Sequence, residues 1–474
     1  MTKGFYITTT LPYVNAQPHI GFALEIIQAD VIARYHRLLG DEVLFNTGTD
    51  EHGLKIYNKA LEEKKEPQIY VDENATKFDN LKKALNLSYD KFIRTTDPAH
   101  KKAAQDFWRR CDKNGDIYKA KYKIKYCVGC ELEKTESELV DARCLLHPNL
   151  KLEIIEEENY FFKFSKYQKP LLSLYEKNPD FVLPQNRLEE IKNFVEKGLQ
   201  DFSISRLKTK MPWGVQVPGD PDHVMYVWFD ALINYISTLG WPQNEAEFKK
   251  WWPGVQIAGK DNLRQQSAMW QAMLMSAGLP NSKQILIHGF ITSGGQKMSK
   301  SLGNVVDPFY LVDKYGTDSL RYYLLAKIPT FADGDFTIKH FEEVYNADLA
   351  NGLGNLVQRV ATLCQKSNIK YEKLKIHIKD KKYQELLENY KFNEVLGLIW
   401  ERINKLDKYI NDTKPWTKRG KELADILQKP ILELLEIAFL LKPFLPETSQ
   451  KIEEIFLAGE IKAPSRPLFP RLRV

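Results

Sequence analysis

The sequence predicts an α/β protein: a parallel β-sheet with helices on its faces, interrupted by a small inserted module and followed by an α-helical bundle. Three observations carry this. The first fifty residues alternate strand, loop, helix and strand. Residues around 116 to 160 turn to short alternating runs rich in Lys, Glu, Tyr and Cys. Beyond about residue 340 the apolar spacing is almost wholly helical. With 474 residues, and roughly 150 residues per domain, the chain has room for about three domains.

Phe5-Tyr6-Ile7-Thr8-Thr9-Thr10 is rich in β-branched and aromatic residues and reads as a strand. Pro12, Asn15 and Pro18 mark a loop. Leu24, Ile27, Val31, Tyr35 and Leu38 recur at spacings of three and four, which predicts a helix that Gly40 stops. Glu42 to Thr47 is a second strand, followed by Gly48-Thr49-Asp50-Glu51-His52-Gly53 and a new helical pattern. Strand, helix, strand in this order predicts a parallel pair. After the insertion, Val224 to Phe229, Val255 to Ala258 and Ile285 to Ile287 read as strands of the same style. Helices are expected near 343–367, 381–412, 419–441 and 446–458, which makes a bundle.

Composition narrows the class. Apolar residues are 43% and charged residues 27%, values of an ordinary globular protein, so wholesale disorder and a fibrous chain are excluded. The stretch Ile431 to Leu445 carries Glu433, Glu436 and Lys442 and is too short to span a membrane. The start, Met1 to Thr10, lacks the basic and apolar regions of a leader, so a cytoplasmic location is expected. Lys+Arg total 68 and Asp+Glu 62, a net charge of +6. Residues 346–474 hold 23 basic and 17 acidic residues, so the whole excess lies there. That balance suits a polyanion partner and equally a solvated helical surface.

The five cysteines, Cys111, Cys127, Cys130, Cys144 and Cys364, are too few and odd in number for a disulfide framework. Cys127-Val128-Gly129-Cys130 is followed, after thirteen residues, by Cys144-Leu145-Leu146-His147. Cys-x-x-Cys with Cys-x-x-His is the ligand spacing of a tetrahedral Zn²⁺ site. Filling all four positions with protein makes it structural, one ion per chain. Cys111 and Cys364 are left as buried thiols.

Two segments suit phosphate chemistry. Pro18-His19-Ile20-Gly21 lies between a strand and a helix, where free N–H groups and the helix dipole favour an anion. His19 can donate to a phosphate oxygen, and Gly21 leaves room for a nucleotide to approach. Lys297-Met298-Ser299-Lys300-Ser301 follows a strand and the pair Gly294-Gly295; its lysines and hydroxyls suit charge growing on a leaving pyrophosphate. Taken singly, the first segment also fits a turn and the second a solvated basic loop.

Together they resemble a family. Pro18 to Phe22 is similar to the first signature of class I aminoacyl-tRNA synthetases, and Lys297 to Ser301 matches the second in full. Tyr6 to Asn15, Gly48 to Gly53, Tyr226 to Ala231, Gly259-Lys260-Asp261 and Tyr315 to Leu325 narrow the resemblance to the methionyl-tRNA synthetases, across essentially the whole chain. It implies a Rossmann-like catalytic domain (1–115 and 221–290) split by a connective insertion with a single zinc knuckle (116–220). A signature-loop and stem-contact region (291–345) and a helical anticodon-binding domain (346–474) follow. The implied activity is ATP-dependent formation of methionyl-adenylate, then transfer to the terminal ribose of initiator and elongator methionine tRNA, with Mg²⁺ on the ATP phosphates. No protein nucleophile is needed; catalysis is positioning and charge stabilisation. His19, Gly21, Lys297 and Lys300 are the implied catalytic residues, with Ser299 joining them on ATP. Asp50 would hold the methionine ammonium. Leu11, Tyr13, Trp228, Ala231 and Tyr235 would line the thioether pocket, where sulfur packs well on rings. Asn355 and Arg359, one turn apart, and Trp416 would read the anticodon by base edges and stacking.

Three positions depart from the family pattern. Phe22 stands where a histidine is usual, and phenylalanine cannot donate to a phosphate. Gln265 and Gln266 stand where an aromatic residue and a histidine are usual; one amide would replace the imidazole, or both would bond outside the apolar pocket. These changes leave open a paralogue that binds tRNA without charging it. Synthetases for leucine, isoleucine or valine normally need an editing domain larger than this insertion, and the cysteine enzyme would need an open zinc position. The chain stops soon after Leu468-Phe469-Pro470-Arg471, short of the extra oligonucleotide-binding domain that dimerises some family members, so a monomer is expected.

Overall fold

Two aromatic residues followed by three β-branched ones give Phe5–Thr9 the strand preference it realises as β1. The computed structural model describes residues 4–129, 132–134, 139–298, 303–366, 380–458 and 460–473. β2 (Val43–Thr49), β3 (Lys91–Arg94), β4 (Val182–Leu183), β5 (Val255–Gly259) and β6 (Gln284–His288) join β1 in a six-stranded sheet of order β3-β2-β1-β5-β6-β4. The registered pairs β2·β3, β1·β5 and β6·β4 are all parallel. Every residue of β5 is buried, as expected of a parallel strand covered on both faces. Strand order reverses between β1 and β5, and open α/β sheets bind ligands outside the carboxyl ends at such a switch point.

Helix α1 (Ile20–Leu39) begins on His19 and ends at Gly40, whose φ of 91° is the left-handed value that glycine adopts freely. The insertion is built on a long antiparallel hairpin, Ile117–Cys127 with Glu153–Phe162, in register from Ile117↔Phe162 to Tyr126↔Glu153. Its far end carries Cys127 and the short strands Leu139–Val140 and Arg143–Cys144.

Two expectations change. The apolar run Val224 to Phe229 is a strand only to Met225; Val227–Ala231 is a short helix, α2. Six apolar residues cannot distinguish a strand from a buried helix. Here the chain turns to bring Asp230 inward, with the Phe229 and Asp230 N–H groups both donating to the Tyr226 carbonyl at 2.9 and 3.1 Å. The helix expected over 381–412 is broken: Lys381–Glu388 ends before Tyr390, whose φ is 58°, and a new helix runs Phe392–Thr413.

The helical region contains α3 (Asn355–Lys366), α4 (Phe392–Thr413), α5 (Gly420–Leu441) and α6 (Pro446–Phe456). In α5, Leu427, Ile431, Leu434, Ala438 and Leu441 are fully buried at spacings of three and four, the stripe expected of a bundle helix. The chain divides into two units. Residues 1–17, 46–79 and 90–287 form one, and 18–45, 80–89 and 288–474 form the other. Among the described residues no helix is long and apolar enough to cross a membrane.

Candidate active site

In the first unit the switch point is furnished by the segments that follow β1 and β2. Asp50 and Tyr13 continue the sheet as a parallel bridge. The Asp50 N–H donates to the Pro12 carbonyl at 3.0 Å, and the Asp50 carbonyl accepts from Val14 N–H at 3.3 Å. The Asp50 backbone is therefore set by main-chain pairing, and the residue is 2% exposed. Tyr13 meets Trp228 edge-on, ring centroids 6.3 Å apart. Ala231 and Tyr235 are buried on the residues that follow, and Tyr235 is fixed to β1 because its carbonyl accepts from the Tyr6 hydroxyl at 2.9 Å. Leu11 is half-buried on the same segment as Tyr13. The structure thus gathers Tyr13, Asp50 and Trp228 into one place: a buried anion beside two aromatic rings. A small cationic head with an apolar tail fits that chemistry. The Trp228 Nε1 is buried without a hydrogen bond among the described residues.

What holds these walls was not read from the sequence. Asp230, fully buried, accepts from His52 Nδ1 at 2.6 Å and His100 Nε2 at 2.9 Å. His100 Nδ1 lies 2.9 Å from the Ser237 hydroxyl. Burial alone would raise the Asp230 carboxyl, but the two imidazoles outweigh it and hold it well below the usual carboxylate range. One carboxylate therefore joins the Asp50–His52 segment to α2, which carries Trp228 and Ala231. Next to it, Glu51 takes a bidentate pair from Arg94, at 2.6 and 2.9 Å, and its carbonyl accepts from Trp213 Nε1 at 2.6 Å. His52 and Asp230 lie inside the two motifs quoted above, which was the available signal; nothing in the sequence says that they meet.

Neither departing glutamine faces solvent: Gln265 is 4% and Gln266 1% exposed. Gln266 Nε2 donates to the Tyr235 hydroxyl at 2.7 Å, and its Oε1 accepts from Gln256 at 3.3 Å. The amide thus orients a tyrosine of the expected pocket. The Gln265 Oε1 accepts no hydrogen bond among the described residues.

The second unit holds the elements that the sequence suits to phosphate. His19 caps α1 with its side chain: Nδ1 accepts from Gly21 N–H at 3.0 Å. Burial pushes the imidazole down from its ordinary value, so it is neutral near pH 7. With Nδ1 accepting, the proton sits on Nε2, which is the donor the site offers. A Cβ on Gly21 would lie 2.8 Å from the His19 ring, so glycine is required there. The same Cβ position is 3.7 Å from Met298 Cε, and Ile20 N–H donates to Val306 O at 3.1 Å. Both ends of the lysine-rich loop therefore meet the start of α1. Gly294 and Gly295, with φ of 62° and 76°, make the turn between Ile291–Ser293 and Gln296–Lys297. Lys297 is placed by its pairing with Thr292. Ser299, Lys300 and Ser301 lie outside the described residues. Phe22 occupies the first turn of α1 and is half-buried.

In the insertion, the ligand atoms of Cys127, Cys144 and His147 all lie within 4.8 Å of one another. Cys127 Sγ is 3.8 Å from His147 Nδ1. A tetrahedral centre with Zn–S of about 2.3 Å sets neighbouring ligands about 3.5–3.8 Å apart. Two thiols and an imidazole at this separation fit such an ion. Gly129 makes the approach possible, since a Cβ there would lie 2.6 Å from the His147 ring. Cys130 lies outside the described residues. Cys111 and Cys364 are buried, and burial pushes both thiols up to about 12.

On the helical bundle Asn355 is exposed at the start of α3. Arg359, one turn on, is held across to α4 by Asp407 at 2.6 Å and Asn411 at 2.7 Å. Trp416, 54% exposed, stands in the turn Pro415–Thr417 that follows α4. An exposed indole is a side chain on which a splayed base can stack.

The parallel sheet with its switch point is the architecture of the nucleotide-binding α/β class. The family model of class I tRNA synthetases (M) matches residues 5–144 and 129–361, and the chain belongs to that family. It is 44% identical to a methionine–tRNA ligase of Thermotoga maritima over 94% of this chain and 74% of the relative. It is 43% identical to one of Nostoc sp. over 95% and 89% respectively. Its fold is similar to a Mycobacterium tuberculosis methionyl-tRNA synthetase in complex with methionyl-adenylate. That match has a TM-score of 0.91 and 35% identity and covers 99% of this chain and 100% of that one.

Proposed function

We propose that this chain is a methionine–tRNA ligase: it activates L-methionine with ATP and transfers it to the cognate tRNA. The observation that carries this is the buried carboxylate of Asp50 beside the Tyr13–Trp228 ring pair at the switch point, in a chain of this family. Asp50 takes the ammonium, while Leu11, Tyr13, Trp228, Ala231 and Tyr235 enclose the thioether. The methionine carboxylate attacks the ATP α-phosphorus in line; the bond to pyrophosphate breaks and methionyl-adenylate forms. His19 Nε2–H, the space over Gly21, and Lys297, Ser299 and Lys300 position the phosphates and stabilise the charge that grows on the leaving pyrophosphate. The ribose 2′-hydroxyl of the tRNA then attacks the activated carbonyl and releases AMP. Mg²⁺ accompanies ATP and shields its phosphates. Gln266 takes the place of the usual imidazole by orienting Tyr235.

Cys127, Cys130, Cys144 and His147 would hold one structural Zn²⁺ that fixes the fold of the insertion tip. Residues 346–474 bind the anticodon of initiator and elongator tRNA through Asn355, Arg359 and Trp416. The enzyme acts as a monomer in the cytoplasm. The test is ATP–pyrophosphate exchange without tRNA. Exchange with methionine, and none with leucine, isoleucine or cysteine, is expected. No exchange with any amino acid, from folded and zinc-loaded protein, overturns the reading in favour of a non-catalytic tRNA binder. Trp416→Ala should lower aminoacylation at least tenfold and leave exchange unchanged; equal losses in both would remove Trp416 from tRNA reading.

A further inference from the structure

Behind Tyr235, in the first unit, lies a set of neutral side chains whose hydrogen bonds run in one direction. Gln256 stands on β5, Gln266 in the π-type turn Gln265–Met269, Gln271 on the helix Trp270–Ser276, and Ser282 just before β6. All four are buried. In the turn, Trp270 N–H donates to the Gln265 carbonyl, five residues back, a widened winding that recurs at functional sites.

Two main-chain groups set the direction. The Ser282 N–H can only donate, and it meets Gln271 Oε1 at 3.1 Å. The Gln266 carbonyl can only accept, and it meets Gln271 Nε2 at 2.8 Å. The Gln271 amide is therefore locked, and its Nε2 also donates to Ser282 Oγ at 3.0 Å. The Ser282 proton goes on to Gln256 Oε1. With its oxygen accepting there, Gln256 turns Nε2 to Gln266 Oε1 at 3.3 Å. That leaves Gln266 Nε2 as the donor to the Tyr235 hydroxyl at 2.7 Å. An amide has one donor end and one acceptor end, so each link decides the next. The Tyr235 oxygen thus accepts on this side, and its own proton is turned away from Gln266. Stability alone does not call for such a set, since apolar side chains of the same shape would be nearly neutral in its place. What the chain of bonds supplies, and an apolar filling would not, is the direction of one hydroxyl.

We propose that Gln256, Ser282 and Gln271 are positioning residues for the amino-acid substrate: through Gln266 they keep Tyr235 a donor toward the substrate side chain. This rests on the reading of Tyr235 as a wall of the methionine pocket. Sulfur is a weak acceptor and a methylene is none, so the arrangement favours a thioether over an isosteric hydrocarbon. The test is methionine-dependent ATP–pyrophosphate exchange on the full chain, with norleucine, which has a methylene for the sulfur, as competitor. Gln256→Met removes the donor to Gln266 at nearly the same volume, and Ser282→Ala breaks the chain of bonds one link earlier. In both, the methionine KM should rise about two- to tenfold, the range of one neutral hydrogen bond. The kcat, the ATP KM and the norleucine inhibition constant should stay unchanged, the last showing that the pocket is folded. Ser282→Ala, the smaller change, decides the case if Gln256→Met does not fold. Tyr235→Phe should give the same rise, and adding Gln256→Met to it should give no more. A wild-type methionine KM in both Gln256→Met and Ser282→Ala, equal losses for methionine and norleucine, or additive losses in the double variant overturn the proposal. Failure of the underlying reading shows separately, as no methionine exchange by the unsubstituted chain, and overturns this inference with it.

Discussion

Asp230→Asn should loosen the methionine pocket without touching any ligand. The carboxylate is fully buried and receives two imidazole N–H groups at 2.6 and 2.9 Å. Each such bond to a charged acceptor is worth about 1.5–3 kcal/mol. The amide has one acceptor oxygen, so one imidazole bond survives as a neutral bond of about 0.5–1.5 kcal/mol and the other imidazole faces an NH₂ group. The net loss is about 2–5 kcal/mol, comparable with the roughly 3–5 kcal/mol for breaking a buried pair. The loss falls where the Asp50–His52 segment joins α2, so it should appear as faster amide hydrogen exchange in 49–53 and 227–231. In ATP–pyrophosphate exchange the methionine KM should rise at least tenfold, which uses only about 1.4 kcal/mol of that loss, while the ATP KM stays unchanged. His100→Gln, which can still donate to the carboxylate, should be milder than His100→Leu. If the methionine KM and amide protection of Asp230→Asn match wild type, the carboxylate does not hold the pocket together and the reasoning fails.

Asp318 carries the opposite sign. Burial pushes its carboxyl up from 3.8 to about 6, against the hydrogen bonding of Thr448 and the charge of Arg321. The folded state binds the extra proton between those values, so stability falls as pH rises from about 4 to about 6. Asp318→Asn keeps an acceptor for the Thr448 N–H and should raise the melting midpoint at pH 8 more than at pH 5; an equal or reversed effect would sink this assignment. Gly21→Ala should cut exchange by at least tenfold, because its Cβ meets the His19 ring at 2.8 Å; wild-type kinetics would show that the ring moves aside freely. Atomic emission should find one Zn per chain, and Cys144→Ser should lower that content and the melting midpoint; metal-free protein with an unchanged melt would remove the ion from the account.

Periodicity and punctuation were enough for much of the fold. The spacing of Leu24, Ile27, Val31 and Tyr35 and the stop at Gly40 correspond to α1, and the buried runs after residue 255 are β5 and β6. The turn to helix at Val227 was not legible, because it depends on Asp230 meeting histidines 178 and 130 residues away in sequence. The break at Tyr390 was missed for another reason: a left-handed tyrosine carries no local signature. At the site, His19 and Gly21 could be read because a helix start makes a local demand on its residues. The Gln266–Tyr235 bond could not, since a buried amide reveals its role only through its neighbours.

The His19 imidazole performs two tasks with one proton. Its Nδ1 lone pair closes the first turn of α1, which leaves Nε2–H as the outward donor. Acidification that reached Nδ1 would set one N–H against the Gly21 N–H. The ring would gain charge attractive to phosphate at the moment it ceased to hold the backbone that aims it. Burial, by lowering the imidazole's proton affinity, keeps those events out of the neutral range. The signature histidine is thereby a donor of fixed direction, whose supply of hydrogen bonds stays the same across the neutral range.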